Sequence, residues 1–404
     1  MADTQRKIRE RDIQGLKYLD SLLPLLSSLH EVGCQRDKAG NRQLHYDEYC
    51  LLVLLFLFNP VVRSLRALQQ ASELKNVQKK LGCGRASLGS LSEATDVFDP
   101  QRLEGIIESL LGQMPQTGDV GRGQVRQRLV AVDGSVIKTL GSLAEAAYLR
   151  DKNGRTHCGW RFHTHFDLDR RVPTRMEVTT ALQSGKTDEK QHLRRRLEAD
   201  CCYVMDRWFG EFALWNEIVA SRSSYVCRIR DNSNLDRIVE ERELTAATKA
   251  AGVLRDVVVK LGEKSARPTH PVRVVLVQAT PHKKTGGRKG GTAGPPSDGV
   301  LRIATNLLDV PAEIISDIYR HRWLIELFFR FFKHVLGCRH LLSTDPVGIQ
   351  IQAYCAIIAC LLISLWTGGK PTLRTYEMVC FYLMGWAELE ELSAHLQKLQ
   401  PPTS

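Results

Sequence analysis

Three carboxylates carry the chemistry this sequence can do. Asp133 follows the apolar run 128–132 (RLVAV), Asp206 follows 202–205 (CYVM), and Glu326 lies inside 319–333, which reads YRHRWLIELFFRFFK. Both aspartates are expected at the C-terminal ends of buried strands, with Glu326 on a helix packed beside their sheet. Carboxylates gathered in one place repel each other, so such a site is stable only with hard cations that oxygen ligands suit, magnesium or manganese. Two such ions about 4 Å apart can hold a phosphodiester, activate a water or a sugar hydroxyl, and stabilise the leaving oxygen. The expected reaction is in-line phosphodiester cleavage or transfer.

The helix that carries Glu326 adds a second element. With about 100° of rotation per residue, Tyr319, Arg322, Glu326, Arg330 and Lys333 fall within a sector of roughly 80°. One carboxylate thus sits among four groups suited to gripping phosphate. Trp323, Leu324, Leu327, Phe328, Phe331 and Phe332 are expected to form the buried side. An ordinary surface helix with i,i+4 ion pairs, each worth about 0.3–0.5 kcal/mol, would carry the same residue types.

The elements that must position these groups are legible in outline. Residues 8–114 read as helical: Leu16, Leu19, Leu22 and Leu23 recur at helical spacing, and 46–58 is an apolar segment stopped by Asn59-Pro60. The segment 61–81 sets Arg63, Arg66, Lys75, Lys79 and Lys80 beside leucines, a helix pair facing either DNA or solvent. Ser90-Leu91-Ser92-Glu93 is expected to open one helix and Asp99-Pro100 to cap the next. A change of rhythm at 115–123 (PQTGDVGRG) marks a boundary. Strands follow at 128–132, 161–168 and 172–181, the second alternating Phe162, Thr164, Phe166 and Leu168 with Arg161, His163, His165 and Asp167. Thr187-Asp188 reads as the N-cap of a helix 189–199. Strand 202–205, helix 209–220 and strand 225–229 then repeat the order strand, carboxylate, helix, strand. Residues 255–261 and 272–279 look like strands of an insertion whose loop 281–296 is too rich in Gly, Lys and Pro to pack. A strand at 301–306, a helix from Pro311, and helices 347–366 and 376–399 complete the chain.

Composition sets outer bounds. The 404 residues are 43% hydrophobic and 25% charged, enough for two or three domains with a sizeable core. Fifty-six Lys and Arg against 45 Asp and Glu leave a net charge of +11, which favours an extended anionic partner. Eleven cysteines form no CxxC pair, which points to a reducing compartment without a zinc site. The charged N-terminus MADTQRKIRERD has no secretory core, and the apolar runs 50–58 and 353–366 are shorter than the ~20 residues of a bilayer span. No membrane association is expected.

The spacing Tyr319-x2-Arg322-x3-Glu326-x6-Lys333, with AVDGS around Asp133 and VMDRWFG around Asp206, resembles the DDE transposases of bacterial insertion sequences, in the large family numbered four. The resemblance covers about 128–340 and implies an α/β fold: an RNase H-like mixed sheet flanked by helices, with an N-terminal helical domain, a β-rich insertion and C-terminal helices. The implied division is 1–115, helical and suited to DNA-end binding; 124–231, the first part of the core; 232–304, the insertion; 305–345, the final core helix; and 346–404, a helical region suited to dimerisation. It also implies that Asp133, Asp206 and Glu326 bind two Mg2+ ions, for which Mn2+ can substitute, while Tyr319, Arg322 and Lys333, with Arg330 beside them, grip phosphates. The implied partners are the double-stranded terminal inverted repeats and target DNA, bound by a synaptic homodimer in the cytoplasm at the nucleoid. One departure stands out: Trp160, Trp208, Trp215, Trp323, Trp366 and Trp386 all lie outside 232–304, where relatives that use a hairpin carry a base-stacking tryptophan.

Two other readings share the scaffold, an inactive or domesticated DNA-binding protein and an RNase H-like nuclease without strand transfer. His163, His165, Asp167 and Asp169 imitate a metal site but read as a polar sheet face, and 286–291 lacks the helix a phosphate-binding loop would open. If the cationic face grips DNA, Arg322→Ala and Lys333→Ala should each weaken binding to element ends and lower the salt slope by about 1. Filter binding across a salt series measures this, and unchanged slopes in both would make the face ordinary surface.

Overall fold

The computed structural model describes residues 19–32, 43–115, 120, 124–139, 147–150, 156–181, 188–235, 237–262, 267–278, 299–338, 340–367, 372–384 and 386–398. The stretch 8–18, Thr187 and the loop 281–296 lie outside them.

The N-terminal part is helical: α1 (Leu19–Ser27), α2 (Leu29–Val32), α3 (Tyr46–Phe58), α4 (Leu65–Ser72), α5 (Lys75–Leu81), α6 (Leu88–Val97) and α7 (Arg102–Gly112). Apolar on nearly every side, α3 is almost wholly buried. Helix α6 begins before Ser90, because Ser87 provides the cap and its hydroxyl accepts the Ser90 amide. Arg63, Arg66, Lys75 and Lys79 are exposed.

The sheet is mixed and flanked by helices, as expected of the core. β1 (Arg128–Thr139) pairs antiparallel with β3 (Thr156–Asp167), whose far edge carries β2 (Ala147–Arg150) and β4 (Val172–Thr180). After α8 (Glu189–Arg195), β5 (Cys201–Met205) lies parallel to β1; after α9 (Phe212–Ala220), β6 (Ser224–Arg228) lies parallel to β5. An antiparallel meander continued by two parallel strands on helical crossovers is an RNase H-like sheet. Asp133 is not at the end of its strand: β1 runs on to Thr139 against β3, and only the parallel pairing stops, at Val132↔Met205. Asp-Gly adopts strand geometry here because β3 continues to supply partners that a turn would forfeit.

The strands of 232–304 extend this same sheet. β7 (Ile238–Glu241), β8 (Val253–Val259), β9 (Val272–Gln278) and β10 (Val300–Thr305) follow β6 in the spatial order β6-β10-β9-β8-β7, making ten strands among the described residues, with α10 (Ala246–Ala250) between β7 and β8. Thus β10 covers what would otherwise be an open, apolar edge of β6. The buried pair Arg273–Asp256 crosses β9 and β8, and Arg273 also donates to the carbonyls of Leu307, Leu308 and Val310. That one guanidinium ties the added strands to the segment entering α11 (Ala312–His321), which is followed by α12 (Trp323–His334).

The last helices close the core. α13 (Pro346–Thr367) has 22 residues and is long and apolar enough to cross a membrane, longer than the run 353–366 suggested, yet 94% of its apolar window is buried inside the fold. It packs on β4, α7 and α3. Gln350 joins it to β4, accepting the Val178 amide at 2.8 Å and donating to the Met176 carbonyl. The single helix expected over 376–399 is two, α14 (Leu373–Leu383) and α15 (Leu389–Gln397), each with its own cap, Thr372 and the Glu388–Glu391 box. Asp256→Ala would leave the Arg273 guanidinium buried without its carboxylate and should cost about 3–5 kcal/mol of stability. Urea unfolding measures the loss, and a change below about 1 kcal/mol would show the pair to be dispensable.

Candidate active site

The site begins where β1 and β5 part. Beyond the rung Val132↔Met205, the next residues on these adjacent strands are Asp133 and Asp206. Asp133 Oδ1 accepts the Gly134 amide at 2.8 Å, and Asp206 Oδ1 accepts the Trp208 amide at 2.8 Å, capping the one-turn 3₁₀ helix Arg207–Phe209. Local hydrogen bonds therefore fix both carboxylates before any ligand arrives.

Glu326 comes from the helix pair α11 and α12. These are not the one continuous helix that the sequence suggests: Arg322 lies between them, and the bonds Arg322 N to Tyr319 O and Ile325 N to Arg322 O are i to i+3, a local 3₁₀ tightening. Ile325, Phe328, Phe329, Phe331 and Phe332 are buried, Leu324 and Leu327 half-buried, and Trp323 is exposed, so the apolar stripe is rotated from the expected one. Phe332 meets Phe162 edge-on at 5.4 Å and Phe328 meets Phe166 at 5.7 Å, holding α12 against β3.

Arg322 joins the parts. Its guanidinium donates to Glu326 Oε1 at 2.6 Å, stands 3.5 Å from Asp133 Oδ2, and lies 5.9 Å from the centre of the Tyr319 ring. The structure thus brings Asp133, Asp206, Glu326, Arg322 and Tyr319 together. Lys333 reaches β1 further on, donating to the Val136 carbonyl at 2.9 Å. Arg330 does not join them: it is exposed and lines an apolar cavity with Phe166, Leu327, Phe331 and Leu373. It stands one turn after Glu326 on the unbroken helix α12, but its side chain is exposed and turns to that cavity.

Electrostatics at the site follow from crowding. Burial pushes the Asp133 carboxyl up to about 7, with Arg322 and the Gly134 amide pulling it down and Asp206 and Glu189 pushing it further up. Burial also raises Tyr319 and lowers Lys333. Glu189, the first residue of α8, is a fourth carboxylate that sequence reasoning treated only as the start of a helix. It is 8% exposed and ion-paired with Arg161 of β3. Its one sequence signal is its place directly after Asp188, whose side chain accepts the Lys190 amide and so sets where the helix begins.

On the far side of β3 the expected polar face is buried, not solvated. His163 stacks on His192 of α8 at 4.0 Å, and burial lowers His163 to about 3 and His165 to about 4, so both imidazoles are neutral. Asp167 pairs with Arg170. Beyond Asp206, a cavity of about 550 Å³ between α9 and the β7–β8 region is lined by Arg207, Arg230, Arg237 and Lys260 over an apolar floor of Phe212 and Ile229.

The oxygen donors of Asp133, Asp206 and Glu326 fit divalent cations of the magnesium class, since all are carboxylates and their crowding calls for positive charge. Among the described residues no three His, Cys, Asp or Glu side chains converge closely enough to share one ion. Arg322 stands between Asp133 and Glu326 and supplies that charge.

The sequence profile of the family described as "Transposase DDE domain" matches residues 125–362, more than half of the chain. The chain belongs to this DDE transposase family. The matched span runs from the entry to β1 into α13 and takes in Asp133, Asp206, Arg322, Glu326 and Lys333. Among curated relatives, a Sinorhizobium fredii protein named as a transposase, y4zB, is 27% identical over 263 residues, 63% of this chain and 65% of that one. A Geobacillus stearothermophilus protein named as the transposase of insertion sequence element IS5377 is 27% identical over 206 residues, 51% of this chain and 48% of that one. The matches therefore span less than two thirds of either relative. The cryo-EM structure of the piggyBac transposase synaptic complex with hairpin DNA aligns with a TM-score of 0.42 at 9% identity, covering 100% of this chain and 88% of that one, a likeness too distant to bear on the site.

A raised carboxyl makes the metal-free fold pH-sensitive. Because Asp133 binds its proton more tightly folded than unfolded, its contribution to stability is present at low pH and is lost as pH rises from about 4 through about 7. Asp133→Asn should therefore gain stability relative to the unmodified protein across that window. Urea unfolding in chelator at a series of pH values measures the difference, and a difference independent of pH would contradict the raised carboxyl.

Proposed function

We propose that this DDE transposase binds the terminal inverted repeats of its insertion sequence and catalyses metal-dependent DNA cleavage and strand transfer through Asp133, Asp206 and Glu326. The observation that carries the reading is the single guanidinium of Arg322 bridging Asp133 and Glu326 beside the last parallel rung, with Asp206 on the neighbouring strand. Carboxylates from a strand, its neighbour and a helix, held around a removable cation, are what phosphoryl transfer requires.

In this reading Asp133, Asp206 and Glu326 are the oxygen donors for two divalent ions, Mg2+ or Mn2+. When bound, these ions supply Lewis acidity at the scissile phosphate and at the attacking hydroxyl. Arg322 then gives up its carboxylates for a phosphate of the DNA, an exchange its fork of donors suits. Tyr319 and Lys333 flank the same strand ends and steady adjacent phosphates, Tyr319 through its hydroxyl and Lys333 as a point charge on β1. Arg207, Arg230, Arg237 and Lys260 extend the positive surface past Asp206 and suit the backbone of further DNA. Arg330, outside the cluster, is assigned to more distant backbone. Target DNA and a synaptic homodimer complete the proposed assembly, which acts at the bacterial nucleoid.

Asp133→Ala, Asp206→Ala and Glu326→Ala should each lower cleavage of the element's own ends by about 10²- to 10³-fold or more, the lower bound being the scale of losing one preorganised electrostatic contact at the reaction centre. Retardation of end DNA should persist. Plasmid assays with Mg2+ follow both cleavage and strand-transfer products. Full-rate cleavage in any of the three variants would overturn the assignment, and cleavage without joined products would reduce the protein to a nuclease.

A further inference from the structure

Glu189 is placed where an accidental surface carboxylate would not be. A Cβ added to Gly134 would collide with its Oε1 and meet its Cδ at 2.7 Å, so the carboxylate lies directly against the backbone of the residue after Asp133. Arg161 of β3, opposite Val136 in the ladder, holds it there through an ion pair whose two side chains are 12% and 9% exposed. Glu189 also lines a water-sized cavity with Asp133, His163 and His192. A solvated first-turn glutamate would serve the α8 dipole as well. Burying a charged pair against one glycine is costly and fixes that glycine instead.

The chain of contacts runs from Arg161 to Glu189, from Glu189 to the Gly134 backbone, and from the Gly134 amide to Asp133 Oδ1 at 2.8 Å. We propose that Glu189, clamped by Arg161, is a positioning residue for Asp133: it fixes the peptide that orients this carboxylate, and its negative charge strengthens divalent-cation binding by the site. The proposal rests on the reading of Asp133 and Asp206 as metal ligands. Glu189 touches neither the phosphate nor the ion in this account and acts through Asp133.

The test is Mn2+ binding to the full-length, DNA-free protein, followed by the electron paramagnetic resonance signal of free Mn2+, with circular dichroism to verify folding. Glu189→Gln keeps the shape and removes the charge; it should weaken Mn2+ binding by about 10- to 100-fold, the usual effect of losing a partner that orients a ligand. Glu189→Asp, which keeps the charge but withdraws it by one methylene, should restore part of the affinity and serves if Glu189→Gln does not fold. Gly134→Ala, which drives the carboxylate away without changing it, should weaken binding as well. Folded Glu189→Gln or Glu189→Asp protein with unaltered Mn2+ affinity would overturn the proposal and leave Glu189 a stabilising contact. Asp133→Ala separates the two readings: Mn2+ binding indifferent to Asp133 would refute the metal assignment itself.

Discussion

Like charges forced into one place are the constraint on which this molecule depends. Two aspartates lie on neighbouring parallel strands, a glutamate stands over them, and a fourth carboxylate leans on the backbone beside the first. In water such groups would separate. Here the sheet register and the phenylalanine stripe of α12 hold them, and Arg322 offsets part of their repulsion. The helical break at Arg322 places that guanidinium between two carboxylates, Asp133 and Glu326.

The same sheet explains how the two halves of the chain are coupled. Because β10 pairs with β6, the strands that interrupt the core in sequence are continuous with it in space. Arg273 of β9 donates to carbonyls at 307, 308 and 310, and Thr248 of α10 donates to Glu313 of α11 at 2.8 Å. The helix that leads to Arg322 therefore hangs from the added strands. The six residues between β10 and α11 are themselves held, by Arg273 at the carbonyls of Leu307, Leu308 and Val310.

Beneath the site, between β3, β4 and α8, lies a layer of polar groups with little access to water. His163 bonds to Thr179 at 2.8 Å, His192 to Glu177 at 3.2 Å, and Glu177 pairs with Arg196. Burial works against the Glu177 charge, yet the His192 and Arg196 contacts bring its carboxyl down to about 2. Opposite charges thus alternate through this layer, which is how a low-dielectric region tolerates them. Glu189, paired with Arg161, is the member that lies against the Gly134 backbone.

Legible from the residues alone were the strands of the core along the chain, the two aspartates after apolar runs, and the helical segment bearing Glu326, because each depends on local patterns: apolar runs that end in a carboxylate, and spacing along a helix. Burial and long-range pairing decided the rest. That β1 continues past Asp133 was settled by β3, and that the insertion joins the core sheet was settled by the edge of β6. The placing of Glu189 on Gly134, and the ion pair from Arg322 to Asp133, arise from contacts between residues far apart in the chain. Periodicity reports which side of an element is apolar, but only packing decides what that side meets, and a charged residue reveals its role through its neighbours.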